Sequence, residues 1–104
     1  MVTQQSAIET VNSFVKDVKA EGINLNRVIL YGSFSRNQQH EYSDIDVALI
    51  SDQFSGIGFR DIPLFVKALR KYYVIQPKTF SSEDFNNENA LAEEILRNGI
   101  EINV

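Results

Sequence analysis

Residues 32–50, GSFSRNQQHEYSDIDVALI, are the most informative part of this 104-residue sequence. A short apolar run at residues 28–31 stops at Gly32 and predicts a buried strand that ends there. A second apolar run, Ile45–Ile50, predicts a second buried strand. Residues 33–43 between them are polar and have no strand pattern. The sequence therefore predicts a Gly-Ser turn at the end of one strand and paired aspartates at the start of the next.

The paired aspartates are Asp44 and Asp46. They are two positions apart at a strand start, so both carboxylates project to the same face. Two carboxylates beside an apolar strand repel each other and raise each other's pKa unless a cation lies between them. Mg²⁺ suits such a pair, because it prefers one or two carboxylates together with phosphate oxygens. An Asp-x-Asp pair alone is a weak signal, and the simpler alternative is a strand-entry turn.

The Gly32-Ser33 turn has the residues of an anion site. We expect it to open a short helix, whose backbone N–H groups and dipole would face an anion. Gly32 would let the chain approach a phosphate closely, and Ser33 could donate its hydroxyl. Arg36, one turn later, would add a fixed positive charge. The alternative is an ordinary Gly-Ser turn with a solvated arginine.

Taken together, the two halves resemble the Gly-Ser…Asp-x-Asp signature of the polymerase β-like nucleotidyltransferases, and in particular the minimal nucleotidyltransferase (MNT) domain proteins. Arg36, Tyr42 and Ser43 also stand where that family often has arginine, an aromatic or acidic residue, and serine. The length and element order of the chain fit the same family. The resemblance implies an α/β (α+β) nucleotidyltransferase fold, a mixed β-sheet with flanking helices.

The resemblance also implies a function, the Mg²⁺-dependent transfer of AMP from ATP to an acceptor hydroxyl. Small members of the family often pair with a helical HEPN-domain protein in a toxin–antitoxin system, where the nucleotidyltransferase is the antitoxin and can adenylylate a toxin tyrosine. By this resemblance, Asp44 and Asp46 are the metal-binding and catalytic residues. The nucleotide-binding residues are Gly32, Ser33, Arg36 and Ser43.

The family pattern includes a third carboxylate on a later strand, and here Gln76 stands at the aligned position. An amide oxygen can coordinate a metal, but it carries no charge and is not a base. Glu41 or Asp61 could substitute for the missing carboxylate. An alternative function is therefore a catalytically impaired module that neutralises a HEPN-type partner by contact. Transfer to a small molecule such as an aminoglycoside is disfavoured, because 104 residues leave little chain for an acceptor pocket.

The remaining chain predicts a single domain over residues 1–104 with element order α-β-α-β-α-β-α-β. Its first helix carries Ile8, Val11, Phe14, Val15 and Val18 on one face. A later helix would be capped by Asp61, with Pro63 in its first turn. A third strand begins at Tyr73 and is interrupted at Pro77. Residues 89–98 form an amphipathic helix with Leu91, Ala92, Ile95 and Leu96 inward, and residues 100–104 form a last strand.

Composition narrows the classes of protein further. Hydrophobic residues make up 43% and charged residues 23%, which is typical of a globular domain rather than a disordered chain. The net charge of −4 argues against direct nucleic-acid binding. Cysteine is absent, and neither a signal peptide nor an apolar membrane segment is visible. We therefore expect a soluble cytoplasmic protein, with homo-oligomerisation left open.

Overall fold

The computed structural model describes residues 3–39 and 43–104. Its centre is a four-stranded mixed sheet with strand order β3-β2-β1-β4. The strands are β1 (Arg27–Tyr31), β2 (Ile45–Ile50), β3 (Ile75–Phe80) and β4 (Ile100–Ile102). β2 and β3 are parallel, whereas β1 is antiparallel to both of its neighbours. The sheet with its flanking helices confirms the predicted fold class.

The first helix, α1 (Gln4–Ala20), forms as the apolar spacing predicts. Thr3 and Ser6 make a reciprocal capping box at its start, which satisfies backbone N–H groups that would otherwise have no partner. The apolar face packs on one side of the sheet. Its buried residues are Ala7, Val11, Phe14, Val15 and Val18.

The segment between β2 and β3 corrects the prediction of one helix capped by Asp61. It consists of α2 (Gly58–Asp61), a 3₁₀ turn (Ile62–Phe65) and α3 (Val66–Leu69). Pro63 has no N–H to bond to the preceding turn, so the helix changes its hydrogen-bonding pattern there. The Asp61 side chain caps neither helix. It is buried and instead accepts hydrogen bonds from Ser55, Gly56 and Thr79.

The last helix, α4 (Ala90–Asn98), covers the other face of the sheet. The Asn89 side chain caps it by accepting a hydrogen bond from the Ala92 N–H. Ala92 and Ile95 are buried as predicted, but Leu91 is 36% exposed and was wrongly assigned inward. The core on this face contains Ile29, Ala48, Ile50, Phe80, Phe85, Ala92 and Ile95.

Two further predictions need correction. Residues 32–37 form successive turns, and no helix is present between Gly32 and residue 39 in the described chain. β3 continues through Pro77 rather than stopping there. Because β3 is an edge strand of the described sheet, with β2 as its neighbour, the proline nitrogen, which has no N–H, can face away from the sheet.

The predicted roles of Glu41 and Tyr42 lie outside the described residues. No helix of the described chain is both long and apolar enough to cross a membrane.

Candidate functional site

Asp46 lies on β2 at the middle of a polar row that crosses three strands. Its register partners are Tyr31 on β1 and Gln76 on β3. Paired residues on neighbouring strands point to the same face, so the three side chains share one side of the sheet. Further along β2, Ala48 and Ile50 continue this face into the core beneath α4. Asp46 therefore lies at the solvent-accessible end of this face of the sheet, and it is only partly buried.

The two aspartates are close enough to interact. Burial raises the pKa of Asp46, and the negative charge of Asp44 raises it further. Asp44 itself is exposed and directly precedes β2. Within the described residues neither carboxylate takes part in a hydrogen bond or a salt bridge. The arrangement is a pair of repelling carboxylates without a salt-bridge partner among the described residues, and a divalent cation would stabilise it.

Gly32 connects this pair to the preceding turn. Its φ of +76° is a left-handed conformation that side-chain-bearing residues rarely adopt. A Cβ atom at this position would overlap the Asp46 Oδ2 atom and lie 3.2 Å from Asp46 Cγ. The Asp46 carboxylate thus packs directly against the glycine backbone. The two halves of the sequence signature are in contact in the folded chain.

The turn after Gly32 presents backbone donors. The N–H groups of Ser33, Phe34 and Ser35 have no acceptor among the described residues. The following amides of Arg36, Asn37 and Gln38 are bonded back within the turn. Unpaired successive N–H groups at a turn make a concavity that suits an anion. The predicted helix is absent, but its expected donors are therefore available without it.

The turn is held by side chains on two elements. The Ser35 hydroxyl donates to the Gly32 carbonyl at 2.9 Å. From the start of α1, the Gln4 side-chain amide donates to the Phe34 carbonyl at 2.8 Å and to the Ser35 carbonyl at 3.4 Å. The Phe34 side chain is fully buried. The turn is therefore held in place by the buried Phe34 side chain and by the hydrogen bonds from Gln4 on α1.

The other predicted binding residues surround the same turn. The positive charge of Arg36 lowers the pKa of Asp46 against the larger opposing effects of burial and Asp44, which places the guanidinium near the carboxylates. Its Nε atom also donates to Gln38 at 3.3 Å. Ser33 is half-buried within the turn, and Ser43 is half-buried directly before Asp44. The structure thus brings the predicted site residues to one end of the sheet, with Gln76 beside them.

A small cavity of about 140 Å³ lies between the turn and α4. Its polar lining includes Tyr31, Arg36, Glu94 and Asn98. Burial raises the pKa of Tyr31, and the charges of Asp46 and Glu94 raise it further. Sequence reasoning missed Gln4, Tyr31, Glu94 and Asn98. No local motif marks Gln4, Glu94 and Asn98, since only the tertiary fold brings α1 and α4 to the turn, whereas Tyr31 directly precedes Gly32 and was assigned only to the buried strand.

Among the described residues, the aspartate pair supplies the candidate carboxylate ligands for a metal at this turn. The described residues contain no group of three or more His, Cys, Asp or Glu side chains able to hold a metal ion. Asp61 is a predicted substitute for the third carboxylate. Its carboxylate instead accepts hydrogen bonds from Ser55, Gly56 and Thr79. Two carboxylates beside an anion-binding turn still fit Mg²⁺, which commonly takes its remaining ligands from phosphate and water.

Comparison with known proteins identifies the family. The sequence profile described as "Nucleotidyltransferase domain" matches residues 11–101, which includes both strand ends of the site. The chain belongs to the nucleotidyltransferase domain family. Its predicted membership is thereby confirmed, and a search of curated proteins gave no match.

Solved structures show that this nucleotidyltransferase domain has the fold of its family. A Sulfolobus solfataricus protein provisionally assigned as a nucleotidyltransferase matches with a TM-score of 0.69 and 15% identity, covering 94% of this chain and 80% of its own. A mutant of the MntA–HpeT toxin–antitoxin pair matches with a TM-score of 0.60 and 18% identity, covering 88% and 70%. At these identities the likeness establishes the fold.

Proposed function

We propose that this nucleotidyltransferase domain transfers AMP from ATP, with Mg²⁺, to a hydroxyl group on a partner protein. The observation that supports it is the contact between Gly32 and the Asp46 carboxylate. This contact joins a turn with unpaired N–H donors to a pair of carboxylates that forms no salt bridge within the described residues. Phosphoryl-group transfer depends mainly on positioning and charge stabilisation, and these two elements supply both.

Each site residue has a role in this proposal. Asp44 and Asp46 would hold Mg²⁺, which supplies charge neutralisation for the triphosphate and the leaving pyrophosphate. Ser33, the N–H groups of the turn and Arg36 would hold the β- and γ-phosphates. Ser43, directly before Asp44, would contact the nucleotide. The acceptor oxygen attacks the α-phosphorus, the bond to the β-phosphate bridging oxygen breaks, and pyrophosphate leaves while the acceptor proton passes to solvent.

The acceptor would be a helical HEPN-type toxin, with this chain as its antitoxin. The support is the family signature together with the similarity of fold to MntA of a toxin–antitoxin pair. The C-terminal part of the chain is acidic in sequence, and Glu94 from it lies beside the site. From Glu83 onwards the sequence has six acidic residues and one basic residue. Such an excess of acidic residues favours a basic contact region on the partner.

The first test is nucleotide binding to the Asp44→Asn variant. We expect ATP with Mg²⁺ to raise the melting temperature of the wild-type protein, because a ligand at 100 times its Kd adds about 2.7 kcal/mol of stability. Asp44→Asn should lose this Mg²⁺-dependent stabilisation. The matched control is Asp52→Asn, an exposed aspartate on the turn after β2. Equal ATP stabilisation in both variants would contradict the proposed site.

Transfer itself is tested by intact-mass measurement. The purified chain, ATP, Mg²⁺ and a HEPN-type partner protein should give a covalent AMP adduct on the partner. The same reaction with Asp44→Asn should give none. A partner that stays unmodified, although the wild-type chain binds ATP and the partner, would contradict AMP transfer.

The second candidate is neutralisation of the partner by contact alone. The observation that favours it is Gln76, which lies in register with Asp46 and which the sequence resemblance predicts at the position of the third carboxylate. An amide cannot accept the acceptor proton as a base, so the chemistry would be weakened. In this case Asp44→Asn would still neutralise a toxin in cells. Loss of neutralisation by a variant that still forms the complex would exclude contact as the sole mechanism.

A further inference from the structure

The cavity between the Gly32 turn and α4 is a second compartment beside the proposed phosphate site. Gly32 and Arg36 form its wall on the turn side, and Glu94 and Asn98 form its wall on α4. Leu91 and Ile95 supply an apolar wall. Its volume of about 140 Å³ is below the roughly 300–1,000 Å³ of pockets that enclose a drug-sized ligand. It therefore has room for one part of a nucleotide.

The two walls of this cavity differ in chemistry. The turn offers N–H donors and a guanidinium, whereas the α4 wall offers a carboxylate and an amide. An ionised carboxylate only accepts hydrogen bonds and repels phosphate. The charge of Glu94 acts on Tyr31 inside the same cavity, together with that of Asp46. The group that fits beside Glu94 therefore carries O–H or N–H donors and no negative charge.

We propose that this cavity receives the ribose of the nucleotide and that the Glu94 carboxylate accepts hydrogen bonds from the ribose hydroxyls. The proposal rests on the nucleotide site inferred above. Gly32 borders both compartments, and the ribose is the part of ATP that is bonded directly to the phosphates. The apolar side chains of Leu91 and Ile95 would contact the carbon face of the sugar. The Asn98 amide would donate a hydrogen bond to either ribose hydroxyl or accept one from it. Glu94 is then a specificity-determining residue.

The test compares three ligands in the presence of Mg²⁺: ATP, 2′,3′-dideoxy-ATP and inorganic tripolyphosphate. Wild-type protein should bind ATP about tenfold more tightly than dideoxy-ATP, because hydrogen bonds to a charged group are the stronger ones. Glu94→Gln should weaken ATP about tenfold while changing the Kd of the other two ligands less than twofold. The Glu94 side chain is exposed, so the variant should fold, and its melting temperature verifies this.

The matched control is Glu93→Gln on the same helix. Glu93 pairs with Arg97 instead of lining the cavity, so its removal should leave all three affinities unchanged. Equal binding of ATP and dideoxy-ATP by the wild-type protein would overturn the ribose assignment. So would an equal loss of tripolyphosphate binding in Glu94→Gln, since this would assign Glu94 to the metal or phosphate. If the wild-type protein binds neither ATP nor tripolyphosphate, the nucleotide site itself fails, and the inference fails with it.

Discussion

At the scale of single residues, two separate structural reasons require glycine at position 32. Its backbone has a positive φ, and its missing side chain leaves the space that the Asp46 carboxylate occupies. The first reason concerns the conformation of the turn, and the second concerns the position of a metal-ligand candidate. Gly22 has only the first, because its φ is +92° and nothing lies within 4 Å of the point that a Cβ atom would occupy there. A comparison of substitutions at the two glycines therefore distinguishes the effect of backbone strain from the effect of displacing the Asp46 carboxylate.

We expect Gly32→Ala to abolish ATP binding as well as to lower stability. The strain of a positive φ costs on the order of 1 kcal/mol in either glycine variant. Only at Gly32 must the Asp46 carboxylate also move. ATP titration followed by melting temperature measures both effects.

Gly22→Ala is the matched control. It should lower the melting temperature while the added stabilisation by ATP and Mg²⁺ is retained. A Gly32→Ala protein that binds ATP as tightly as the wild type would show that the contact with Asp46 does not position the site.

At the scale of elements, the site is assembled from parts that are distant in the sequence. The turn follows β1, the carboxylates stand at the start of β2, and the parallel β3 places Gln76 in register with Asp46. α1 then reaches the turn through the Gln4 amide, which is bonded to carbonyls 30 and 31 positions later. The bond to the Phe34 carbonyl orients the peptide group that carries the unpaired N–H of Ser35. Gln4 is thus a positioning residue for the turn.

We expect Gln4→Ala to weaken ATP binding more than it weakens the fold. A hydrogen bond of this kind contributes about 0.5–1.5 kcal/mol, which corresponds to a severalfold rise in the Kd for ATP. Gln5→Ala, an exposed neighbour on α1, should change the Kd little. Calorimetric titration of both variants provides the measurement. Identical ATP affinities in the two variants would mean that α1 does not hold the turn in its binding conformation.

At the scale of the whole molecule, Asp61 links the loop after β2 to the edge strand β3. The residue is 2% exposed. It accepts from the Ser55 N–H at 2.8 Å, the Gly56 N–H at 2.9 Å and the Thr79 hydroxyl at 2.7 Å. Burial alone would raise the pKa of Asp61, but these hydrogen bonds to the charged form outweigh it and lower the pKa. The ionised side chain therefore stabilises the folded protein.

This lowered pKa predicts how stability depends on pH. The contribution of Asp61 is present above its ordinary pKa of 3.8 and is lost as the pH falls through the lower folded value. We expect Asp61→Asn to cost about 2 kcal/mol at neutral pH, because the amide places donors opposite donors. The difference from the wild type should shrink below pH 3.8.

Urea unfolding at a series of pH values measures this difference. Asp52→Asn, an exposed aspartate close in sequence, should show a small and nearly pH-independent difference over the same range. A difference for Asp61→Asn that stays constant from neutral pH to below pH 3.8 would contradict the assigned role.

Local pattern was sufficient for several parts of this protein. The apolar runs of β1 and β2 and the 3.6-residue spacing of α1 and α4 predict these elements, because each buries one continuous surface. The Gly-Ser and Asp-x-Asp pair predicted the family, which the sequence profile confirms. Local pattern was insufficient at residues 58–69, where Pro63 and the burial of Asp61 divide a predicted helix into short segments. It was also insufficient at the turn after Gly32, where a helix was expected.

The sequence by itself determined the residue types of the candidate site and the strand ends near which they lie. Strand order, register and the approach of α1 and α4 were decided only by the tertiary structure. The reason is physical: periodicity reports which face of an element is buried, but not which element buries it. The proximity of Gly32 to Asp46, the register of Gln76 and the position of Glu94 all depend on packing between distant segments. Only the folded chain relates these residues to one another.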